Sequence, residues 1–177
     1  MDFGEILVIP WLLPGLVVSL VAAFVLDGPI ERAFRIGPLL SWALVVSLGI
    51  IVSATLTPSR AAIDSGAAGL RVCDFARVEL APIREILLFG DTGLNVLLFI
   101  PLGATIGLLP RSRHKAMQIA AAIALPFAIE AIQALVRSLD RACQSSDVVD
   151  NLTGLAIGLV AGLVTGWVVG VVERRDR

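Results

Sequence analysis

Five long stretches with almost no charge separate the charged residues of this sequence. Four of them carry no charged side chain over 19 to 24 residues, and the fifth is interrupted only by Glu130. The stretches run over residues 6–26, 36–59, 92–110, 116–135 and 151–172. A helix needs about 20 mainly apolar residues to cross the hydrocarbon core of a bilayer. Because unpaired backbone groups are not tolerated in lipid, the pattern predicts an all-α polytopic membrane bundle of five transmembrane helices. We expect one domain over residues 1–177.

The composition agrees with a protein that lies in a membrane. Hydrophobic residues make up 57% of the 177 residues and charged residues only 16%, and the mean hydropathy is +0.91. Average soluble domains are about half apolar and a quarter charged. The 14 basic and 15 acidic residues leave no cationic surface for nucleic acid. These values exclude a soluble globular enzyme, a disordered chain and a nucleic-acid-binding protein.

The positions of lysine and arginine predict which side of the membrane each loop faces. The basic clusters 111–115 and 173–177 are short, and short segments carry most weight in the positive-inside rule. Four arginines of the opposite side lie in the long second loop, where the rule counts least. We therefore expect the N-terminus outside and the C-terminus in the cytoplasm.

The second loop, between residues 58 and 91, is too long to be a simple connector. Its segment 82–89 begins with a proline, which suits the first position of a helix. Ile83, Ile86 and Leu87 share one face of that helix, with charges opposite. The pattern predicts a short interfacial helix on the outer leaflet.

Both cysteines fall on the predicted outer side. Cys73 lies in the second loop and Cys143 in the fourth. Compartments outside the cytoplasmic membrane are oxidising, so two thiols there tend to pair. We predict a disulfide between them.

Polar side chains gather near the predicted outer ends of the spans. Asn95 lies shortly after the start of the third span, and Asn151 opens the fifth span. Glu130 lies about 10 Å below the outer end of the fourth span. Gln133 and Arg137 follow it by three and seven residues, which on a helix puts them on the same face. The predicted ligand-binding residues of this outer pocket are Asn95, Glu130, Gln133, Arg137, Arg141, Asp147, Asp150 and Asn151.

Glycine recurs every four residues along the fifth span. The members of this glycine stripe are Gly154, Gly158, Gly162, Gly166 and Gly170. A stripe of this kind lets another helix backbone approach closely. Gly103 and Gly107 on the third span, also four residues apart, are the expected partner. A homo-oligomer formed through the fifth span is the alternative.

Three polar segments follow one another in a familiar order and spacing. They are NVLLFIPLG (residues 95–103), EAIQ (130–133) and DVVDNLTGLAIG (147–158). Together they resemble the VanZ-like family, small bacterial membrane proteins named for a factor in teicoplanin resistance. Arg141 also lies where that family often has an arginine. The resemblance covers about residues 91–172, whereas the first two spans match only in hydropathy. It implies a protein of the bacterial cytoplasmic (inner) membrane, without a settled biochemical activity.

The favoured function is that of a cell-envelope accessory protein. Its outward-facing pocket would hold a phospholipid headgroup or a lipid-linked cell-wall precursor, with no cofactor or metal. Asparagine and glutamine would supply donors and acceptors, and Arg137 and Arg141 would bind phosphate. For a member of the resembled family, such binding would affect sensitivity to teicoplanin.

Three other functions stay open. An intramembrane enzyme would use Glu130 as acid or base on a lipid headgroup, with Asp147 and Asp150 holding a divalent cation. Against it, His114 is the only histidine and lies on the predicted cytoplasmic side. A proton-coupled transporter would need a solute path, for which five spans without an inverted repeat leave little room. In a purely structural role, the polar side chains would only hydrogen-bond between helices.

Overall fold

The computed structural model describes residues 11–66, 73–88 and 90–175. These ranges form seven α-helices and one 3₁₀-helix, and they contain no β-strand. The α-helices are α1 (Leu12–Phe34), α2 (Pro38–Thr55), α3 (Arg60–Ser65), α4 (Ile83–Leu87), α5 (Asp91–Leu108), α6 (Arg113–Leu135) and α7 (Ser145–Arg175). Of these, α1, α2, α5, α6 and α7 are long and apolar enough to cross a membrane. The prediction of an all-α bundle with five spans is confirmed.

Helix α5 lies at the centre of the bundle and packs on α2, α4, α6 and α7, most extensively on α7. Its Phe99 and Leu102 are fully buried, together with Ile51 of α2 and Ile129 of α6. The surface facing away from this core is itself apolar, as Phe24 illustrates with an exposed fraction of 76%. A surface of that kind is stable against lipid and not against water.

The first span continues further along the chain than the charge pattern predicts. The apolar stretch ends before Asp27, yet α1 continues to Phe34 and closes at Arg35 in the left-handed conformation (φ 54°). A charged residue marks where the chain leaves the hydrocarbon, but it does not break helical hydrogen bonding. Pro14 lies in the first turn of α1, where a missing N–H has no consequence. Residues 1–10 lie outside the described ranges.

The fifth span also begins earlier than predicted. Helix α7 starts at Ser145, so Asp147 and Asp150 belong to its first two turns and not to the loop before it. Acidic side chains near a helix N-terminus interact favourably with the helix dipole. The segment therefore extends the apolar helix, and both carboxylates gain fixed positions on its surface.

The predicted interfacial helix is present and short. Helix α4 has five residues, and Pro82 directly precedes it. Ile83 and Leu87 are about three-quarters exposed, at 74% and 75%. Residue 89, the predicted end of this segment, lies outside the described ranges. The exposed apolar side chains suit a helix that rests on a bilayer surface.

One lysine of the predicted cytoplasmic cluster is buried. The side chain of Lys115 is 8% exposed, and its Nζ donates to Gly107 O (2.7 Å) and Leu109 O (2.9 Å). These carbonyls lie at the end of α5, where backbone acceptors lack helical partners. The ammonium group thus caps α5, in addition to any role in membrane orientation.

The glycine stripe brings the α5 and α7 backbones into contact. A Cβ atom at Gly158 would meet Ile100 O and would lie 2.8 Å from Ala104 N. Gly154 and Gly162 are equally enclosed by backbone atoms of α5. No larger residue fits at these three positions without separating the helices.

Gly103 and Gly107 of α5 also touch the backbone of α7, but the last two glycines of the α7 stripe do not touch α5 closely. A Cβ at Gly103 would lie 2.8 Å from Leu159 N, and one at Gly107 would lie 2.6 Å from Leu159 O. At Gly166 the nearest neighbour is a leucine methyl group at 3.8 Å. Around Gly170, no heavy atom of the described residues lies within 4 Å of such a Cβ. Only the first three glycines of α7 pack tightly on α5.

Candidate functional site

A polar cavity of about 620 Å³ lies at the end of the bundle that carries the loop between α2 and α5, which we call the long-loop end. The C-terminal ends of α2 and α6 meet the N-terminal ends of α1, α5 and α7 there. Apolar side chains such as Leu98 and Ile129 also line the cavity. The polar residues that line the cavity are Thr55, Asp91, Asn95, Glu130, Gln133, Arg141, Gln144, Asp147 and Asn151.

Six of the eight predicted ligand-binding residues line this cavity. They are Asn95, Glu130, Gln133, Arg141, Asp147 and Asn151. Asn95 lies one turn into α5, and the glycine contact draws the start of α7 against that same turn. Gln133 is almost one turn beyond Glu130 on α6, so the two side chains share a face. Helical spacing and close packing together bring these groups to one place.

Glu130 and Gln133 tie α6 to both neighbouring segments. The backbone N–H of Gln144, directly before α7, donates to Glu130 Oε2 at 2.7 Å. The side-chain amide of Gln133 donates from Nε2 to Thr55 O at 2.9 Å, at the last residue of α2. Both side chains are more than nine-tenths buried. The part of the cavity wall formed by α6 is therefore held in place by specific hydrogen bonds.

Two buried oxygen atoms at the cavity accept no hydrogen bond from the described residues. They are Asn151 Oδ1 and Gln133 Oε1. The Asn151 side chain is only 1% exposed. A buried acceptor without a donor costs about 1–3 kcal/mol. Since both residues line the cavity, a ligand or water with hydrogen-bond donors would remove that cost.

Arg141 supplies the cation of the cavity. Its Nε donates to Thr57 O at 3.3 Å, and burial lowers the pKa of its guanidinium. Among the described residues, no carboxylate lies within 4.0 Å of this group. A guanidinium has five N–H donors and stays protonated in proteins. Most of its donors are therefore available to an anion.

Arg137 does not lie with these residues, contrary to the helical spacing used to predict it. Helix α6 ends at Leu135, and Val136 is extended (φ −100°, ψ 96°). Arg137 then begins a separate 3₁₀-helix, Arg137–Leu139, and its side chain is exposed. Arg137, seven residues after Glu130, would share its face only if the helix continued past Leu135.

Asp150 also lies outside the cavity lining, because it is engaged elsewhere. Arg77 Nη2 contacts Asp150 Oδ2 at 2.6 Å, in the only ion pair within the described ranges. The Asp150 side chain is 2% exposed. Its hydrogen bond raises the pKa of the Arg77 guanidinium, an effect that desolvation partly opposes. This carboxylate holds the long loop and does not line the cavity.

A disulfide joins Cys73 to Cys143, as predicted, with the two Cα atoms 4.6 Å apart. Three hydrogen bonds reinforce it. Asp74 N donates to Cys143 O (2.8 Å), Ser145 N donates to Asp74 O (2.9 Å) and Ser145 Oγ donates to Arg77 O (2.7 Å). We call residues 73–77 with these contacts the loop clamp. It fixes the chain around Cys143, whose neighbours line the cavity.

Residues 39–166 match the family model described as VanZ/LLP1. The chain belongs to the VanZ/LLP1 family. No curated protein and no solved structure matches it significantly. Together with the five apolar helices, membership identifies a multi-pass membrane protein.

The VanZ/LLP1 match is longer than the resemblance in the sequence suggested. It begins at residue 39 and so includes α2 and the long loop, whereas the motifs covered only about residues 91–172. Of this additional part, α2 contributes Thr55 O to the site, and the loop contributes the disulfide and the Arg77–Asp150 ion pair. None of these contacts is encoded by a short motif.

Four contributors to the site were not predicted from the VanZ-like motifs. Asp91, the first residue of α5, lines the cavity but lies at the end of the predicted second loop. Thr55 and Gln144 contribute backbone groups, for which almost any residue type would serve. Arg77 looked like one of several exposed charges in a long loop. Two features of the sequence do indicate the pairing of Arg77 with Asp150. A buried carboxylate needs a cation, and the predicted disulfide draws the long loop over the start of α7.

Proposed function

We propose that this VanZ/LLP1 protein is an accessory protein of the bacterial cell envelope. Its polar cavity binds the headgroup of a membrane phospholipid or of a lipid-linked cell-wall precursor. The observation that carries the proposal is the pair of buried, unpaired oxygens, Asn151 Oδ1 and Gln133 Oε1, in a cavity that also contains Arg141. Such a volume is typical of small-ligand sites, which span about 300–1,000 Å³.

The proposed cavity opens to the outside of the bacterial cytoplasmic membrane. The described residues of the two basic clusters, 111–115 and 173–175, lie at the opposite end of the long helices from the cavity. By the positive-inside rule that end is cytoplasmic, which puts the N-terminus outside. A disulfide at the long-loop end supports the same orientation, because disulfides persist in oxidising compartments.

Cysteine labelling tests the orientation. We expect a cysteine introduced at Ile63, in α3, to react with a membrane-impermeant maleimide in intact cells. A cysteine at Arg113 should react only after the membrane is permeabilised. The native cysteines are joined to each other and give no background reaction. Labelling of the Arg113 position alone in intact cells would refute the proposed topology and the outward-facing cavity.

A change in teicoplanin susceptibility tests the function. We expect expression of the wild type in a susceptible Gram-positive host to raise the teicoplanin concentration that stops growth. Glu130→Gln should lose most of that protection. Glutamine keeps an oxygen that can accept the Gln144 N–H but removes the negative charge, so the fold and the melting temperature should be retained.

Glu85→Gln is the matched control, because it makes the same change at an exposed site on α4. It should protect as well as the wild type. Full protection by folded Glu130→Gln would limit Glu130 to a structural role. If the wild type gave no protection, a role in teicoplanin sensitivity would be refuted.

A further inference from the structure

The charges that line the polar cavity are unequal in number. Three carboxylates line it, those of Asp91, Glu130 and Asp147, against the single guanidinium of Arg141. Asp150 does not change this balance, since Arg77 is its partner outside the cavity. Like charges brought together in a partly desolvated site repel, and an opposite charge relieves that repulsion. The cavity therefore favours a ligand that carries a cation.

The two kinds of charge in the cavity are not paired with each other within the described residues. The three carboxylates come from the first turns of α5 and α7 and from the last two turns of α6. Arg141 has no carboxylate of the described residues within 4.0 Å and turns to the backbone of Thr57 instead. A ligand that complements both kinds of charge needs a cationic group and an anionic group on one small headgroup.

The two unpaired amide oxygens also favour a ligand with a cationic group that donates hydrogen bonds. Asn151 Oδ1 and Gln133 Oε1 can only accept hydrogen bonds, so they call for donors on the ligand. An ammonium group offers three donors as well as a positive charge. A phosphate offers acceptors only, and it suits the forked donors of a guanidinium.

We propose that the cavity selects a zwitterionic phospholipid headgroup of the phosphoethanolamine type. Arg141 binds the phosphate, while Glu130 and Asp147 bind the ammonium with help from the amide oxygen of Asn151. This inference rests on the proposed function and specifies its ligand. The apolar outer surface of the bundle leaves the acyl chains in the surrounding lipid.

Competition among three lipids tests the selection. The purified full-length protein is mixed in detergent with equal amounts of phosphatidylethanolamine, phosphatidylglycerol and N-acetylated phosphatidylethanolamine, all with the same acyl chains. Native mass spectrometry then measures which lipid is retained. We expect phosphatidylethanolamine to be retained about tenfold more than either other lipid, because only it carries a free ammonium group.

Two variants separate the two halves of the site. Glu130→Gln should lower retention of phosphatidylethanolamine towards that of phosphatidylglycerol, because the ammonium loses one of its two charged partners. Arg141→Gln should reduce retention of all three lipids, because all three carry the phosphate. Arg137→Gln is the control for a nearby arginine that is exposed and outside the cavity, and it should behave as the wild type.

The possible failures are distinguishable. Equal retention of phosphatidylethanolamine and its N-acetylated form would overturn amine selection, and this comparison needs only the wild type. Phosphatidylglycerol retained as well as phosphatidylethanolamine once Mg²⁺ is added would assign the carboxylates to a cation, which also overturns it. In both cases Arg141-dependent binding would leave the proposed function intact. If no lipid were retained more by the wild type than by Arg141→Gln, lipid binding in the cavity itself would be refuted.

Discussion

Replacing Gly158 by isoleucine is expected to destabilise the protein by about 3 kcal/mol. The new Cβ would meet Ile100 O and would lie 2.8 Å from Ala104 N. Both are backbone atoms of α5, which cannot move aside as the end of a flexible side chain can. The helices must therefore separate, and α5 carries the buried Phe99 and Leu102 at the centre of the bundle. Thermal unfolding in detergent, followed by circular dichroism, measures the loss.

Gly170→Ile makes the same substitution on the same helix at a position without close neighbours in the described structure. It should unfold at the wild-type temperature, because isoleucine suits a lipid-facing helix surface. Similar losses in both variants would mean that a general effect of isoleucine on α7, and not the α5–α7 contact, lowers the stability, because isoleucine has a higher helix propensity than glycine. The apparent mass of Gly170→Ile also tests the predicted homo-oligomer, since a fall in mass would assign this end of the stripe to a second copy.

The sequence predicts local features of this fold well. Apolar stretches predict five spans because lipid imposes a nearly fixed length on each helix. The four-residue spacing of glycines predicts which face of α7 approaches α5, and the close backbone contacts at Gly158 and Gly103 follow that face. Asn95 and Asn151 reach one cavity because each lies at the same end of this close helix pair.

The features that the sequence does not predict depend on where helices end and on long-range pairs. Arg137 is exposed because α6 stops at Leu135, and the periodic pattern before it gives no stop signal of the glycine or proline kind. Asp150 pairs with Arg77, 73 residues away, and no local spacing encodes that partner. Lys115 folds back onto the end of α5, although a basic cluster normally indicates solvated charges.

Removing the cation of the loop clamp should have the second large effect. In Arg77→Met the carboxylate of Asp150 keeps its buried position and loses its only ionic partner within the described ranges. Breaking one side of a buried ion pair costs about 3–5 kcal/mol. Because the Arg77 side chain is 25% exposed, we expect the lower end, about 3 kcal/mol, in chemical unfolding at neutral pH. Arg84→Met, at an exposed arginine of α4, should change stability little.

The double variant Arg77→Met with Asp150→Asn decides whether the loss comes from the uncompensated charge. Asparagine is neutral and nearly isosteric with aspartate, so the double variant should be more stable than Arg77→Met alone. An equally unstable double variant would contradict the ionic explanation and assign the loss to the packing of the arginine stem.

The same variants test whether the loop clamp positions the cavity. The backbone oxygen of Arg77 accepts a hydrogen bond from the Ser145 hydroxyl and so holds the loop beside Cys143 and Gln144. If the clamp positions the cavity, Arg77→Met should weaken lipid retention even though Arg77 does not line it, and the double variant should recover part of that binding.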